Sequence, residues 1–185
     1  MIILEGPDGS GKTSLMSTLL DRFPGIEEHE RASTSKGGPV ENIFEWAQAD
    51  ILSWGVQPLS FYDRHPLISE PIYGEEIRGK FDGRFTDPEG EDLGMHMMFR
   101  GLIILCLPPQ SEVVKNVTLN VDDQMSGVAE HIVPIWHEYQ NLLMLSRGRQ
   151  NVFWYDYTRP GDLSKLLTVI QAYQIMWDKI RGNHG

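Results

Sequence analysis

Residues 6–13 read GPDGSGKT, and Gly6, Gly11, Lys12 and Thr13 stand at the spacing G-x-x-x-x-G-K-[ST] that cradles phosphate. Glycines let the backbone curl so that successive N–H groups converge on an anion. The helix expected to begin near Lys12 directs the positive end of its dipole at the same point. In this pattern Lys12 reaches the β- and γ-phosphate oxygens of ATP and Thr13 offers a hydroxyl to Mg²⁺. Gly9, Ser10 and Ser14 complete the stretch expected to bind ATP. A chance turn is the bland alternative, and the context speaks against it. The apolar run IILE at 2–5 leads in, and an amphipathic segment leads straight out.

Three further residues invite chemistry. Asp8 lies inside the loop, where a carboxylate repels phosphates, so it is expected to hold an acceptor hydroxyl or a metal-bound water; the alternative is an Asp that favours the turn. Asp63 and Arg64, in FYDRH at 61–65, close an apolar strand-like run. Phosphoryl transfer needs cations at the developing charge and a group that aligns the acceptor. An Asp and an Arg at the carboxyl end of a central strand suit both tasks, and a structural salt bridge is the competing explanation. His65 is either a bond to an acceptor hydroxyl or an ordinary polar residue at a strand end. Phe44, Trp46, Trp54 and Tyr73 offer rings for stacking a base, with Phe44 and Tyr73 the candidates, although helical spacing equally suits core packing.

The elements that must position these residues alternate between strand-like and helix-like along the chain, which points to an α/β fold with a mainly parallel sheet. Helices are expected at 12–22, 40–53, 128–146 and 161–180, the third kinked or started near Pro134. Strands are expected at 2–5, weakly near 26–31, at the end of QPLSFYDRH, at 102–107 and within 151–158. LIILCLPP at 102–109 reads as a buried strand stopped by prolines, which makes Cys106 a core residue. Residues 74–95 and 116–127 carry no clear element signal and are candidates for loops over a site. For the first of them, a solvated connection is an equal alternative.

In LEGPDGSGKTSL the chain resembles thymidylate kinases and related nucleoside and nucleoside-monophosphate kinases. FYDRH, LIILCLPPQSEVV, AEHIVPIWHEYQNLL and WYDYTRPGDL are similar to later family segments, in the family's order. The resemblance implies a P-loop NTPase fold over residues 1–185 in one domain, a five-stranded parallel sheet flanked by helices on both faces, and a lid at about 116–127. It implies ATP and Mg²⁺ as cofactors, with Asp63 assisting the metal and Arg64 gripping the acceptor. It places Thr158, Arg159 and Pro160 near the donor base, Arg159 among the ATP-binding residues. In nucleoside kinases an acid at the end of the second strand is the base for the acceptor hydroxyl, which makes Glu30 a candidate, against a solvated charge cluster. Relatives often form dimers through helices that flank the sheet, so a homodimer is an expectation.

The chain also departs from that pattern. Such kinases bring arginines over the phosphates, yet Ser10 stands where some relatives carry one. The stretch 116–127 contains no Lys or Arg and includes Asp122 and Asp123. Arg78, Lys80 and Arg84, in the 74–95 stretch, are the candidate closing cations.

Composition bounds the alternatives. With 41% apolar and 23% charged residues the sequence is that of an ordinary soluble protein. A formal net charge of −10, from 26 acidic against 16 basic residues, disfavours a broad footprint on nucleic acid. No apolar stretch suits a membrane span, no leader is evident, and one cysteine suits a reducing compartment, so a cytoplasmic location is expected. The leading expectation is ATP-dependent phosphoryl transfer to a deoxynucleoside monophosphate. Alternatives are a deoxynucleoside kinase, a polynucleotide or modified-base kinase, and a non-catalytic nucleotide-binding module.

Overall fold

The two apolar runs that lack any alternation, Ile2–Glu5 (β1) and Leu102–Cys106 (β4), are buried at every residue. That is the pattern of strands covered on both faces. They pair in parallel, with Ile2 opposite Leu102 and Glu5 opposite Leu105. Three more parallel strands complete the sheet in the computed structural model: Glu27–Glu28 (β2), Ser60–Asp63 (β3) and Val152–Tyr155 (β5), in the order β2-β3-β1-β4-β5. The structure describes residues 1–33, 38–120 and 126–182.

Among the described residues seven α-helices pack around this sheet: Lys12–Arg22 (α1), Ile43–Ser53 (α2), Pro66–Arg78 (α3), Pro88–Arg100 (α4), Gln110–Leu119 (α5), Val128–Leu145 (α6) and Asp162–Gly182 (α7). α1 buries Leu15, Met16 and Leu19 against the sheet and leaves its opposite side exposed. α6 keeps Pro134 inside a continuous helix. No helix among the described residues is long and apolar enough to cross a membrane. Arg100 ends α4, before the amino end of β4, with its guanidinium 5.9 Å from the Trp54 ring centre.

The stretch 74–95 is not the loop expected from its glycines and charges. α3 continues through Arg78 despite Pro71 and stops at Gly79, whose φ of 62° is left-handed. A short 3-10 turn follows at Gly83–Phe85, and α4 then starts at a regular cap, with Asp87 accepting from the Gly90 amide and Pro88 in the first turn. An Asp-Pro step is a helix-start signal, and here it outweighs the glycines behind it. Gly90 is needed because a Cβ there would lie 2.1 Å from the Arg84 carbonyl oxygen. Residues 116–119 of the expected lid likewise belong to α5. Asp122 and Asp123 lie outside the described residues.

What positions the site is the meeting of β1, β3 and β4. Asp63 pairs in register with Leu4, and the Arg64 amide donates to the Leu4 carbonyl at 2.9 Å. The loop after β1 and the residues after β3 therefore emerge side by side at the carboxyl edge of the sheet, where α/β folds hold ligands.

Candidate active site

The loop between β1 and α1 is built for close backbone approach. Gly6, Gly9 and Gly11 have φ of 145°, 74° and 83°. A Cβ on Gly6 would stand 2.3 Å from the Cys106 carbonyl oxygen, so the loop lies directly on β4. α1 begins after Gly11 with no side chain capping it, which leaves its first N–H groups open to an anion. Lys12 is buried, and its Nζ donates to the carbonyls of Gly6 at 2.9 Å and Pro7 at 2.8 Å. Burial holds its amine below the usual lysine range. Thr13 and Ser14 are exposed at the head of α1, and Ser10 is buried within the loop.

Beside this loop Asp8, Arg64 and Tyr73 form one unit. Arg64 Nη2 lies 3.1 Å from Asp8 Oδ1 and donates to the Tyr73 hydroxyl at 2.5 Å. The Tyr73 hydroxyl donates to Asp8 Oδ2 at 2.9 Å. Burial pushes the Asp8 carboxyl up, but Arg64, Lys12 and Tyr73 outweigh it and hold Asp8 below the ordinary carboxylate range. Arg64 adopts φ 70°, a left-handed conformation that a non-glycine residue rarely takes. Over-determined strain of that kind is a mark of functional sites.

These residues open onto a cleft of about 260 Å³. Asp8, Asp63, Arg64 and Tyr73 line it, and so do Arg31 and the pair Glu70 and Arg78. Every arginine in its wall faces a carboxylate. Arg31 meets Asp63 Oδ2 at 2.8 Å, Arg64 meets Asp8, and Arg78 meets Glu70 Oε2 at 2.5 Å. Asp63 Oδ1, by contrast, is buried with no hydrogen-bond partner among the described residues.

Several sequence candidates stand elsewhere. His65 is fully buried, caps α3 by accepting from the Leu67 amide, and packs on Asp50 at 3.3 Å. Its ring faces the core because its own amide is drawn to Glu5 at 2.7 Å. Phe44 is buried in a small cluster with Ile43, Ala47, Phe85 and Leu93. There it meets Phe85 edge-on at 5.2 Å and lies under the Arg84 guanidinium. The Glu30 side chain is exposed and outside the cleft wall, where its neighbour Arg31 stands instead. Of the three candidate closing cations only Arg78 reaches the cleft. Arg84 is tied to Glu45 and Asp82 on the outer surface, and Lys80 is exposed after the end of α3.

On the opposite side of the phosphate loop, Arg159 lies 3.8 Å from the Trp154 ring centre and 3.1 Å from Asp156. The loop itself is met by two residues that sequence reasoning passed over. Asn116 Nδ2 donates to the Gly9 carbonyl at 2.8 Å and to the Tyr157 hydroxyl at 2.9 Å. The Tyr157 ring would touch a Cβ on Gly11 at 3.1 Å. Neither residue belongs to a motif. Only the meeting of α5 with the end of β5 reveals them.

No protein-family model and no curated protein matches the chain. Solved structures do resemble it. The YorR protein from Bacillus subtilis, in complex with phosphorylated GDP, superposes with a TM-score of 0.63 at 16% identity, over 92% of this chain and 95% of that one. Deoxyadenosine kinase from M. mycoides with dCMP and dCDP bound gives 0.60 at 11% identity, over 92% and 98%. The same enzyme with dCTP gives 0.59 at 10%, over 93% and 100%. A five-stranded parallel sheet with the phosphate loop after β1, together with these superpositions, makes this chain an α/β protein of the P-loop NTPase fold.

Proposed function

We propose that the protein transfers the γ-phosphoryl group of ATP to a deoxynucleoside monophosphate held in the cleft. The observation that carries this reading is the lining of the cleft by Arg31 and Arg64 directly beside the phosphate loop. Two guanidiniums at that point suit a dianionic phosphate. In the free protein each is neutralised by Asp63 or Asp8, so the acceptor phosphate exchanges with those carboxylates on binding. The nucleotide-bound and kinase neighbours of the same fold support the reading.

In this scheme Lys12 and the backbone of Gly6, Gly9, Ser10, Gly11, Thr13 and Ser14 hold the ATP phosphates, and Arg159 lies toward the donor base. Asp8 and Tyr73 orient Arg64, and Arg64 aligns the acceptor. The unpartnered Asp63 Oδ1 and the Thr13 hydroxyl fit Mg²⁺, an ion bound through one or two side chains and completed by phosphates and water. When bound, Mg²⁺ neutralises charge on the transferring phosphoryl group. Among the described residues no cluster of three or more His, Cys, Asp or Glu could hold an ion by itself.

The test is ADP release from ATP and Mg²⁺ with each common deoxynucleoside and its monophosphate. Turnover with a monophosphate is expected, lost in Asp63→Asn, with Arg31→Ala raising the acceptor KM. Turnover confined to free nucleosides, insensitive to Arg31→Ala, would instead favour a nucleoside kinase. The prior neutralisation of all three cleft arginines is the observation on that side.

A further inference from the structure

One ion pair in the cleft wall has no role in the proposed scheme. Glu70 and Arg78 are eight residues apart on α3, and Arg78 Nη2 donates to Glu70 Oε2 at 2.5 Å. Pairs that merely brace a helix surface stand three or four positions apart. This one spans two turns, with the arginine folded back along the helix. Gly74 makes the room: a Cβ there would lie 3.0 Å from Arg78 Nη2 and 2.4 Å from Phe81 Cβ.

Glu70 is only 8% exposed, and burial raises its carboxyl above the ordinary range in spite of Arg78. Arg78 engages its Oε2, which leaves Oε1 for a further donor. The carboxyl lines a cleft that a ligand can enter. The pair lies on the helix that Arg64 precedes, with Glu70 about 6 Å along the axis from Pro66 at 1.5 Å per residue. Pro39, Ile43 and Pro66 add apolar surface to the same wall, suited to the faces of a ring.

We propose that Glu70 and Arg78 read the base of the acceptor, and that the base they select is guanine. The proposal rests on the kinase reading for the identity of the cleft. Guanine carries two adjacent donors, N1–H and the N2 amino group, which one carboxylate accepts together. Its O6 and N7 are two adjacent acceptors matched to an arginine fork. Adenine and cytosine offer the carboxylate one amino group beside a ring-nitrogen lone pair. Thymine offers one N–H between two carbonyl oxygens. Each of these sets a lone pair against the second carboxylate oxygen, and opposed charge of that kind is how a site rejects the wrong ligand.

The experiment is calorimetric binding, without ATP, of the four deoxynucleoside monophosphates and their parent deoxynucleosides, with ADP release followed separately. The guanine compound is expected to bind roughly tenfold or more tightly than the other three of its series, the discrimination of one good bidentate contact. Glu70→Gln is expected to abolish that preference while the protein stays folded by circular dichroism. A preference for another base, no binding of any of the eight compounds, or an unchanged preference in Glu70→Gln overturns the proposal. Should Glu70→Gln not fold, Arg78→Lys serves instead: lost guanine preference supports the assignment and retained preference overturns it. Guanine-selective binding without any ADP release would count against phosphoryl transfer and leave the base assignment intact.

Discussion

The Tyr73 hydroxyl donates to Asp8 Oδ2 at 2.9 Å and so ties α3 to the phosphate loop across 65 positions of sequence. The same oxygen accepts from Arg64 Nη2 and from the Asp8 amide at 3.1 Å. One phenol thus fixes both a carboxylate and a guanidinium at the mouth of the cleft. Tyr73→Phe keeps the ring and removes this tie. Turnover is expected to fall about tenfold or more through loss of positioning, with stability reduced by only about 1 kcal/mol. Steady-state kinetics beside thermal unfolding separates the two, and unchanged kcat would remove Tyr73 from the site.

Lys12→Ala should abolish ATP-dependent turnover, by a factor on the order of 10² to 10³ for a lost charge-stabilising donor. Because the Lys12 amine bonds loop carbonyls in the free protein, the variant should also lose some order around Pro7. A nucleotide-binding titration with an ATP analogue checks the first effect, and hydrogen exchange of the loop amides checks the second.

Glu5 predicts a pH-dependent stability. It is completely buried, and burial pushes its carboxyl up to about 7, against hydrogen bonds from the His65 amide and the Tyr139 hydroxyl. The folded state therefore keeps a proton that the unfolded chain has released. Between the unfolded value near 4.5 and the folded value near 7, this group makes the protein less stable as pH rises. The full effect, reached above about pH 7, is about 3 kcal/mol at 1.36 kcal/mol per unit. Glu5→Gln should flatten that part of the profile, and denaturant midpoints at pH 5 and pH 8 in both proteins measure it. Equal slopes would show that Glu5 titrates normally.

Arg84→Ala is expected to leave turnover within twofold of the parent, because Arg84 is held by Glu45 and Asp82 away from the cleft. Its loss should change stability little, as for exposed pairs generally. Arg78→Ala should instead change acceptor binding. Comparable kinetic losses in both variants would mean that Arg84 swings inward during catalysis.

Much of this architecture is legible in the sequence. The phosphate loop announces itself because its chemistry needs particular residues at particular places, and the expected helix at 12–22 matches α1 residue for residue. The buried strand near 102–107 was equally plain, since an unbroken apolar run has few other uses. The helical content of 74–95 was obscured by glycines at 74, 79, 83, 90 and 94, of which Gly74 and Gly90 serve close packing and Gly79 ends a helix. His65 and Phe44 carry types that suit a site, but His65 is buried as the cap of α3, with its amide bonded to Glu5, and Phe44 lies on the face of α2 that meets the small cluster with Phe85. Arg31, Glu70, Asn116 and Tyr157 come from four separate segments. Only tertiary contact distinguishes them from ordinary surface residues.

The two margins of the sheet are stitched with different firmness. β5 joins β4 through four aligned residues, whereas β2 joins β3 through Glu27 and Glu28, both exposed, and one further bond from the His29 amide to the Phe61 carbonyl at 2.7 Å. Arg31 follows that brief seam at the margin of the sheet, while the phosphate loop is clamped at the centre. If the cleft takes the acceptor as proposed, the donor half is the fixed anvil of the molecule and the acceptor half its adjustable jaw. Variation in what this scaffold accepts should accumulate at the jaw and leave the anvil unchanged.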